Sequence, residues 1–271
     1  MDRVRNFIVA ARFIDRGSAG CQFQCDLIRR APCYIRRRMA GQSDQPDDAV
    51  RRFREAVARG ETPSTQPAVL VAELFDELAE RFERHLVGRL QYRVPHRVAD
   101  IVLSRHPERR FDLLDLGCGT GLLGMCLGRL DGDLVGVDLS ARMLDQAAPL
   151  GIYGKLHQGD ALAELRDTAA ERYDCIAACD VFIYIGDLVD LIPAAFRSLR
   201  PGGTLIFSCE TVADSGGDFV LRPSKRYAHS RIYVERLCRN AGFAAICFEE
   251  IELRMEEGVP IAGYIAVAEK A

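Results

Sequence analysis

The sequence predicts an α/β fold built on a doubly wound, mostly parallel sheet. Residues 111–121 run as a short apolar strand into a glycine turn, and Leu122–Leu127 follow at helical spacing. Short apolar strands then alternate with helices to about residue 241. Two further strand-like stretches, 244–254 and 260–268, close the chain around a turn at Glu256 to Val259.

The glycine turn carries the most information. Gly117, Gly119 and Gly121 let the backbone turn sharply and let a ligand approach it closely. The helix behind them offers unpaired N–H groups. A dinucleotide turn, G-x-G-x-x-G, needs its third glycine at position 122, and that residue is Leu122. Asp115, two residues ahead of the first glycine, repels a pyrophosphate and attracts an ammonium-bearing ligand. The plain alternative is an ordinary strand-to-helix turn. Asp138 ends the next apolar strand, 23 positions after Asp115. An acid at about that distance grips ribose hydroxyls in doubly wound folds. Asp138 could instead cap the following helix, but Ser140 is the better cap.

Asp115-Leu-Gly-Cys-Gly-Thr-Gly121 resembles motif I of the class I S-adenosylmethionine-dependent methyltransferases. The resemblance extends over about residues 70–270. It implies a Rossmann-like seven-stranded sheet with the last strand antiparallel, preceded by N-terminal helices. It implies S-adenosyl-L-methionine as cofactor. Asp115, Gly117, Cys118, Gly119 and Gly121 would hold the methionine portion, Asp138 with Leu139 the ribose, and Asp160 with Ala161 the adenine. Asp160 reads equally well as the cap of helix 161–167. Asp180 ends the buried strand that starts at Tyr173, where family substrates approach, and could hold a hydroxyl or the cofactor. That strand is expected to continue through Val181, Phe182, Ile183 and Tyr184.

The catalytic residue is left open, with His229, Tyr184 and Asp180 as candidates. Tyr184 could wall a pocket or pack in the core. His229 lies in the polar, loop-like stretch 220–230, where a substrate lid would fall, and could act as a base or help cap the helix after Ser230. Tyr92, Arg93 and His96 precede the core, and Arg93 could bind a carboxylate or simply lie on the surface. The Asp/Asn-Pro-Pro-Tyr motif of enzymes acting on adenine or glutamine nitrogen is absent.

The 271 residues divide into three expected parts: a disordered Arg-rich leader at 1–45, a helical cover at 46–105, and the methyltransferase domain at 106–271. Residues 1–38 hold nine arginines, no lysine and three aspartates. That composition favours a disordered leader, or a true start at Met39, over a transit peptide. Residues 46–59 form an amphipathic helix ended by Gly60, and a Pro-rich linker follows at 61–67. A long helix follows with Leu70, Leu74, Leu78 and Phe82 in register, and Pro95 starts another that ends at Arg105. Residues 75–95 and 220–230 are similar to segments of a bacterial branch of methyltransferases that often carry tetratricopeptide repeats. This chain has room for at most one repeat-like helix, so a repeat array is not expected.

The net charge of −3 and the lack of a basic stripe argue against nucleic acid as partner. No apolar run nears the roughly 18 residues of a membrane span. The ten cysteines form no metal-binding spacing, and Cys118, Cys126, Cys175, Cys179, Cys209 and Cys247 read as small buried residues of a cytoplasmic protein. Radical chemistry would need a third cysteine after Cys21 and Cys25, where Ile28 stands. The expected function is methyl transfer to a small-molecule acceptor by in-line displacement. The alternative is a non-catalytic sensor or assembly protein that binds the same cofactor. An NAD oxidoreductase is disfavoured by Asp115 and Leu122. Acceptor atom and oligomeric state are not legible.

Overall fold

The computed structural model describes residues 34–36, 46–80, 92–256 and 258–271. All lie in one compact unit, Pro32–Ala271. The readings for the rest of the leader, for Met39, Cys21 and Cys25, and for residues 81–91 of the long helix fall outside the described residues.

The elements are β1 (Tyr34–Arg36), α1 (Pro46–Ala58), α2 (Ala68–Leu78), α3 (Val94–Arg105), β2 (Leu113–Leu116), α4 (Leu122–Leu127), β3 (Leu134–Asp138), α5 (Ala141–Ala147), β4 (Lys155–Gln158), α6 (Ala161–Asp167), β5 (Tyr173–Ala178), α7 (Leu191–Ser198), β6 (Leu199–Thr211), β7 (Phe219–Leu221), β8 (Tyr227–His229), α8 (Arg231–Ala241), β9 (Ala245–Glu256) and β10 (Val259–Glu269). The main sheet runs β1-β4-β3-β2-β5-β6-β10-β9. Strands β4, β3, β2, β5 and β6 pair in parallel, and β10 runs antiparallel to both β6 and β9. The expected seven strands with a reversed last strand are therefore present. β1 adds to the β4 side, and β7 and β8 attach beside β6.

The central strands are buried on both faces, which is why they read as apolar runs. Alternation along β2 divides the core in two. Leu114 and Leu116 join a cluster with Leu165, Leu191 and Val234, from α6, α7 and α8. Leu113 joins the other, with Val98, Leu127 and Leu144, from α3, α4 and α5. At the N-terminal ends of the strands, Arg172 and Arg200 bridge Asp112, Asp133 and Asp174. Those charges staple the sheet at the end away from the site described below. β2 lies between β3 and β5, so chain direction across the sheet reverses there, and the crevice opens at the C-terminal ends of these strands.

Three sequence expectations need correction. The strand from Tyr173 does not continue to Tyr184: it stops at Ala178, Asp180 takes a left-handed φ of 56°, and Phe182–Tyr184 form a 3-10 turn. The stretch 220–230 is not an open polar loop. Its second half, Tyr227, Ala228, His229 and Ser230, is buried, because β8 pairs in parallel with the end of β6. Cys247 is exposed on β9, whereas Cys118, Cys175 and Cys209 are buried as expected.

Candidate functional site

A cavity of about 1280 Å³ opens over the C-terminal ends of β2, β3, β4 and β5. Its floor is the glycine turn. Gly117 and Gly121 have φ of 65° and 92°, a region other residues adopt only with strain. A Cβ at Gly117 would also lie 2.4 Å from Val181 Cγ2, so nothing larger fits there. Thr120 lines the cavity, and its buried hydroxyl has no hydrogen-bond partner among the described residues. A buried polar atom left in this state awaits a ligand or water.

Three acids stand around this floor. Asp115 is 1% exposed, lines the cavity, and its Oδ2 accepts a hydrogen bond from the Tyr153 hydroxyl at 2.7 Å. Burial pushes the Asp115 carboxyl up to about 7, against the Tyr153 hydrogen bond that pulls it down. Asp138 accepts from Gly119 N–H at 2.9 Å and from Ser140 N–H at 2.8 Å, which ties the strand end to the glycine turn. Burial raises this carboxyl to about 6, opposed by those two amides. Ser140 is the helix cap, its Oγ accepting from Met143 N–H at 3.0 Å, so Asp138 is free of that task. Asp160 does cap α6: Oδ1 accepts from the amides of Leu162 and Ala163 at 3.0 Å. It also lines the cavity, so both readings of Asp160 coexist.

The opposite wall is a buried ion network that the motifs did not foretell. Arg254, 5% exposed, donates to Asp180 Oδ2 at 2.9 Å, to Glu256 Oε1 at 2.7 Å and to Glu210. Arg226 pairs with Glu210 at 3.2 Å and with Glu256, and Arg222 approaches Glu210 at 3.3 Å. Three guanidinium groups thus face three carboxylates. Ser208 locks the last bend, its Oγ accepting from Asp180 N–H at 2.8 Å and donating to Asp180 Oδ1 at 2.7 Å. Asp180, Arg226, Arg254 and Glu256 line the cavity. The sequence signal was Glu210 at the end of the largely apolar run 204–209, where an unpaired charge is costly; Arg254 stands in a strand that also carries Glu249, Glu250, Glu252 and Glu256.

The N-terminal segment closes the top. Ser64 O accepts from the amides of Gly186 and Asp187 at 2.9 and 2.7 Å, and Thr65 bridges Ile185. Asp76 on α2 accepts from Ser140 Oγ at 2.5 Å, docking the cover on the cap of α5. Phe75 meets Tyr184 edge-to-face at 5.5 Å, and both line the cavity.

Of the residues singled out from sequence, Asp115, Gly117, Cys118, Gly119, Asp138, Leu139, Asp160, Ala161, Asp180 and Tyr184 all line one cavity, while Gly121 shapes the turn from just outside the lining. Tyr92 lines the cavity; Arg93 and His96 are exposed and do not. His229 is fully buried outside the lining. Its Nε2–H donates to the carbonyls of Ile185 and Gly186 at 3.0 and 2.9 Å, and burial lowers it to about 4. It stacks on Tyr233 and braces the 185–187 bend.

Residues 114–207 match a family model described as a methyltransferase domain. The ubiquinone biosynthesis O-methyltransferase of Azorhizobium caulinodans is 34% identical over 137 residues, which are 46% of this chain and 53% of that protein. The chain spans about half the length of the curated relatives it matches first. Among solved structures, magnesium protoporphyrin IX methyltransferase of Synechocystis PCC 6803 with bound SAH is 19% identical, with a TM-score of 0.56 over 75% of this chain and 99% of that one. The [4+2]-cyclase SpnF is 17% identical, with a TM-score of 0.63 over 77% and 98%. Residues 114–207 thus resemble a methyltransferase domain, and the chain shares its Rossmann-like α/β fold with these solved structures.

Proposed function

We propose that this chain is an S-adenosyl-L-methionine-dependent methyltransferase acting on the hydroxyl of a small-molecule acceptor. The observation that carries the reading is the joining of the glycine turn, Asp138, Asp160 and the Asp180 network in one cavity. The residues fit the cofactor. The turn is a cradle that a Cβ at Gly117 would fill, and Thr120 offers an unpartnered hydroxyl. The buried carboxyls of Asp115 and Asp138 both line the cavity, Asp115 at the glycine turn and Asp138 at the end of β3.

The cofactor supplies an activated methyl group on a sulfonium, which needs an aligned nucleophile more than strong acid–base help. Asp115 and the turn would hold the ammonium end, Asp138 the ribose hydroxyls, and Asp160 with Ala161 the adenine. Asp180, Tyr184 and Arg226 would orient the acceptor from the opposite wall. The Asp180 carboxylate already takes hydrogen bonds from Ser208 and Arg254, so it serves to place a hydroxyl rather than to remove its proton. Phe75 and Tyr184, together under the N-terminal cover, would shield the reacting atoms from water.

Hydroxyl acceptors are favoured by the names of the relatives, which include ubiquinone biosynthesis and malonyl-[acyl-carrier protein] O-methyltransferases. The similarity of 75–95 and 220–230 to segments of that bacterial branch supports membership there. Free thiols support a cytoplasmic setting. No helix among the described residues is long and apolar enough to cross a membrane.

Fold alone does not fix chemistry, as the cyclase with the same fold illustrates. The test is incubation of the chain with S-adenosyl-L-methionine and a panel of hydroxylated aromatic and acyl acceptors. A product one methylene heavier, absent with Asp138→Ala, supports the reading. Cofactor binding with no transfer to any hydroxyl, amine, thiol or carbon acceptor would contradict it.

A further inference from the structure

We propose that Tyr153 is a positioning residue for the cofactor: from behind the cavity wall, its hydroxyl bonds the Asp115 carboxyl and holds it aimed at the ligand's ammonium group. The inference rests on the cofactor site proposed above.

Tyr153 is 4% exposed and does not line the cavity, so it reaches a ligand only through Asp115. Its ring lies in a slot cleared by three glycines. A Cβ at Gly124 would stand 2.9 Å from Tyr153 Cζ and Oη, one at Gly136 2.9 Å from Cδ1, and one at Gly121 3.1 Å from Cε2. The glycine turn, α4 and β3 each give up a side chain to admit this ring. A phenylalanine would fill the same slot. What the hydroxyl adds is the 2.7 Å bond to Asp115 Oδ2.

The groups that face Asp115 explain why that bond matters. Asp138 comes from the end of β3, Cys118 from the turn, Cys175 and Cys179 from β5 and the residue after it, and Tyr92 from the approach to α3. None of these is a cation, and Asp138 repels the Asp115 charge. Burial holds the carboxyl near 7, so in the unliganded protein it is about half protonated at neutral pH. An arriving ammonium group needs the carboxylate. Binding must then release the Asp115 proton to solvent, and affinity must rise with pH through this range. Without the tyrosine hydroxyl the carboxyl would titrate higher, and the rise would move to higher pH.

The test is calorimetric titration of the full chain with S-adenosylhomocysteine and with adenosine, which lacks the ammonium group, at pH 6, 7 and 8. Two buffers of different ionisation enthalpy report proton release. For the wild type, S-adenosylhomocysteine affinity should rise with pH and protons should be released. Tyr153→Phe should weaken S-adenosylhomocysteine about tenfold at pH 7, the order expected for losing a hydrogen bond to a charged group, and less at pH 8. Adenosine should bind both proteins within about twofold. Equal weakening of both ligands at every pH would reduce Tyr153 to a packing role and overturn the proposal. A flat wild-type pH profile without proton release would overturn it even if Tyr153→Phe failed to fold. Failure of the wild type to bind either ligand would instead remove the cofactor site itself.

Discussion

Replacing Arg254 with methionine should destabilise the fold strongly and in a pH-dependent way. Arg254 holds Asp180, Glu210 and Glu256 at once, and its side chain is 5% exposed. Its loss leaves two guanidinium groups, Arg222 and Arg226, against three carboxylates. Glu210 and Glu256 keep Arg226, and Asp180 keeps Ser208, so the net damage is one uncompensated buried negative charge. Breaking a buried pair in this way costs about 3–5 kcal/mol. For a chain of this size that is a fall in Tm of roughly 6–20 °C. The pH sign follows from linkage. Burial works to raise the wild-type Glu256 carboxyl, but hydrogen bonds and charge from Arg254 and Arg226 outweigh it and hold the carboxyl below its ordinary value. That contribution is present above the unfolded pKa and is lost as pH falls through the folded one. In the variant, a cluster carboxyl is pushed up instead, so its cost is relieved as acid protonates it. The Glu256 loss sets in only below its unfolded value, under about pH 5, so between pH 8 and pH 5 the relief in the variant alone narrows the gap, and the difference in Tm should be smaller at pH 5 than at pH 8. Thermal unfolding by circular dichroism at the two pH values measures it. A loss under about 1 kcal/mol, or an equal loss at both pH values, would refute the assignment of a balanced buried network. Arg254→Lys, which keeps the charge but not the three-way fork, should fall between.

Asp115→Asn should raise the Tm of the unliganded protein at pH 8, because a buried charge disappears, and the gain should shrink steadily as pH falls from 7 towards the unfolded carboxyl value of about 4, below which both folded and unfolded carboxyls are neutral. Differential scanning fluorimetry across pH reads both limbs. His229→Ala should lower stability by about 1–3 kcal/mol by leaving the Ile185 and Gly186 carbonyls without their donor, while cofactor affinity stays within a few fold; a stable variant with transfer abolished would make His229 a base after all. Ser140→Ala removes both the cap of α5 and the Asp76 contact, and should cost about 1–2 kcal/mol in urea unfolding. An unchanged midpoint would mean that the cover is not anchored there.

Much of this architecture was legible because strands buried on both faces write continuous apolar runs, and the turns between them need glycine. β2, the turn and α4 could be read directly, and so could Ser140 and Asp160 as caps, since capping acts within three residues. The two closing strands and the turn between them were legible from the residues, and their reversed direction through the resemblance. What stayed hidden was long-range. The bend at Asp180 depends on Ser208, 28 residues away, and on Arg254, 74 residues away. No local pattern announces such a bend, and Val181, Phe182 and Ile183 look like more strand. Burial of Tyr227, Ala228 and His229 depends on pairing with β6, so a polar-looking stretch went inside. Tyr153 gave no signal because its slot is made by glycines that the sequence assigns to the turn, to the helix after it and to the interior of a strand. A Cβ at Gly124 would crowd Ile152 as well as the Tyr153 ring, and one at Gly136 would crowd Cys118 and Leu156 as well, neighbours that are mostly remote in sequence.

The central claim is that the cavity over β2, β3 and β4 binds an adenosyl sulfur ligand through Asp138. The most direct measurement is isothermal titration of the full chain, wild type and Asp138→Ala, with S-adenosylhomocysteine and with NAD in parallel. The account predicts micromolar binding of S-adenosylhomocysteine to the wild type, loss of that binding in the variant, and no binding of NAD. Binding of NAD in place of S-adenosylhomocysteine, or S-adenosylhomocysteine binding that is indifferent to Asp138→Ala, would contradict it.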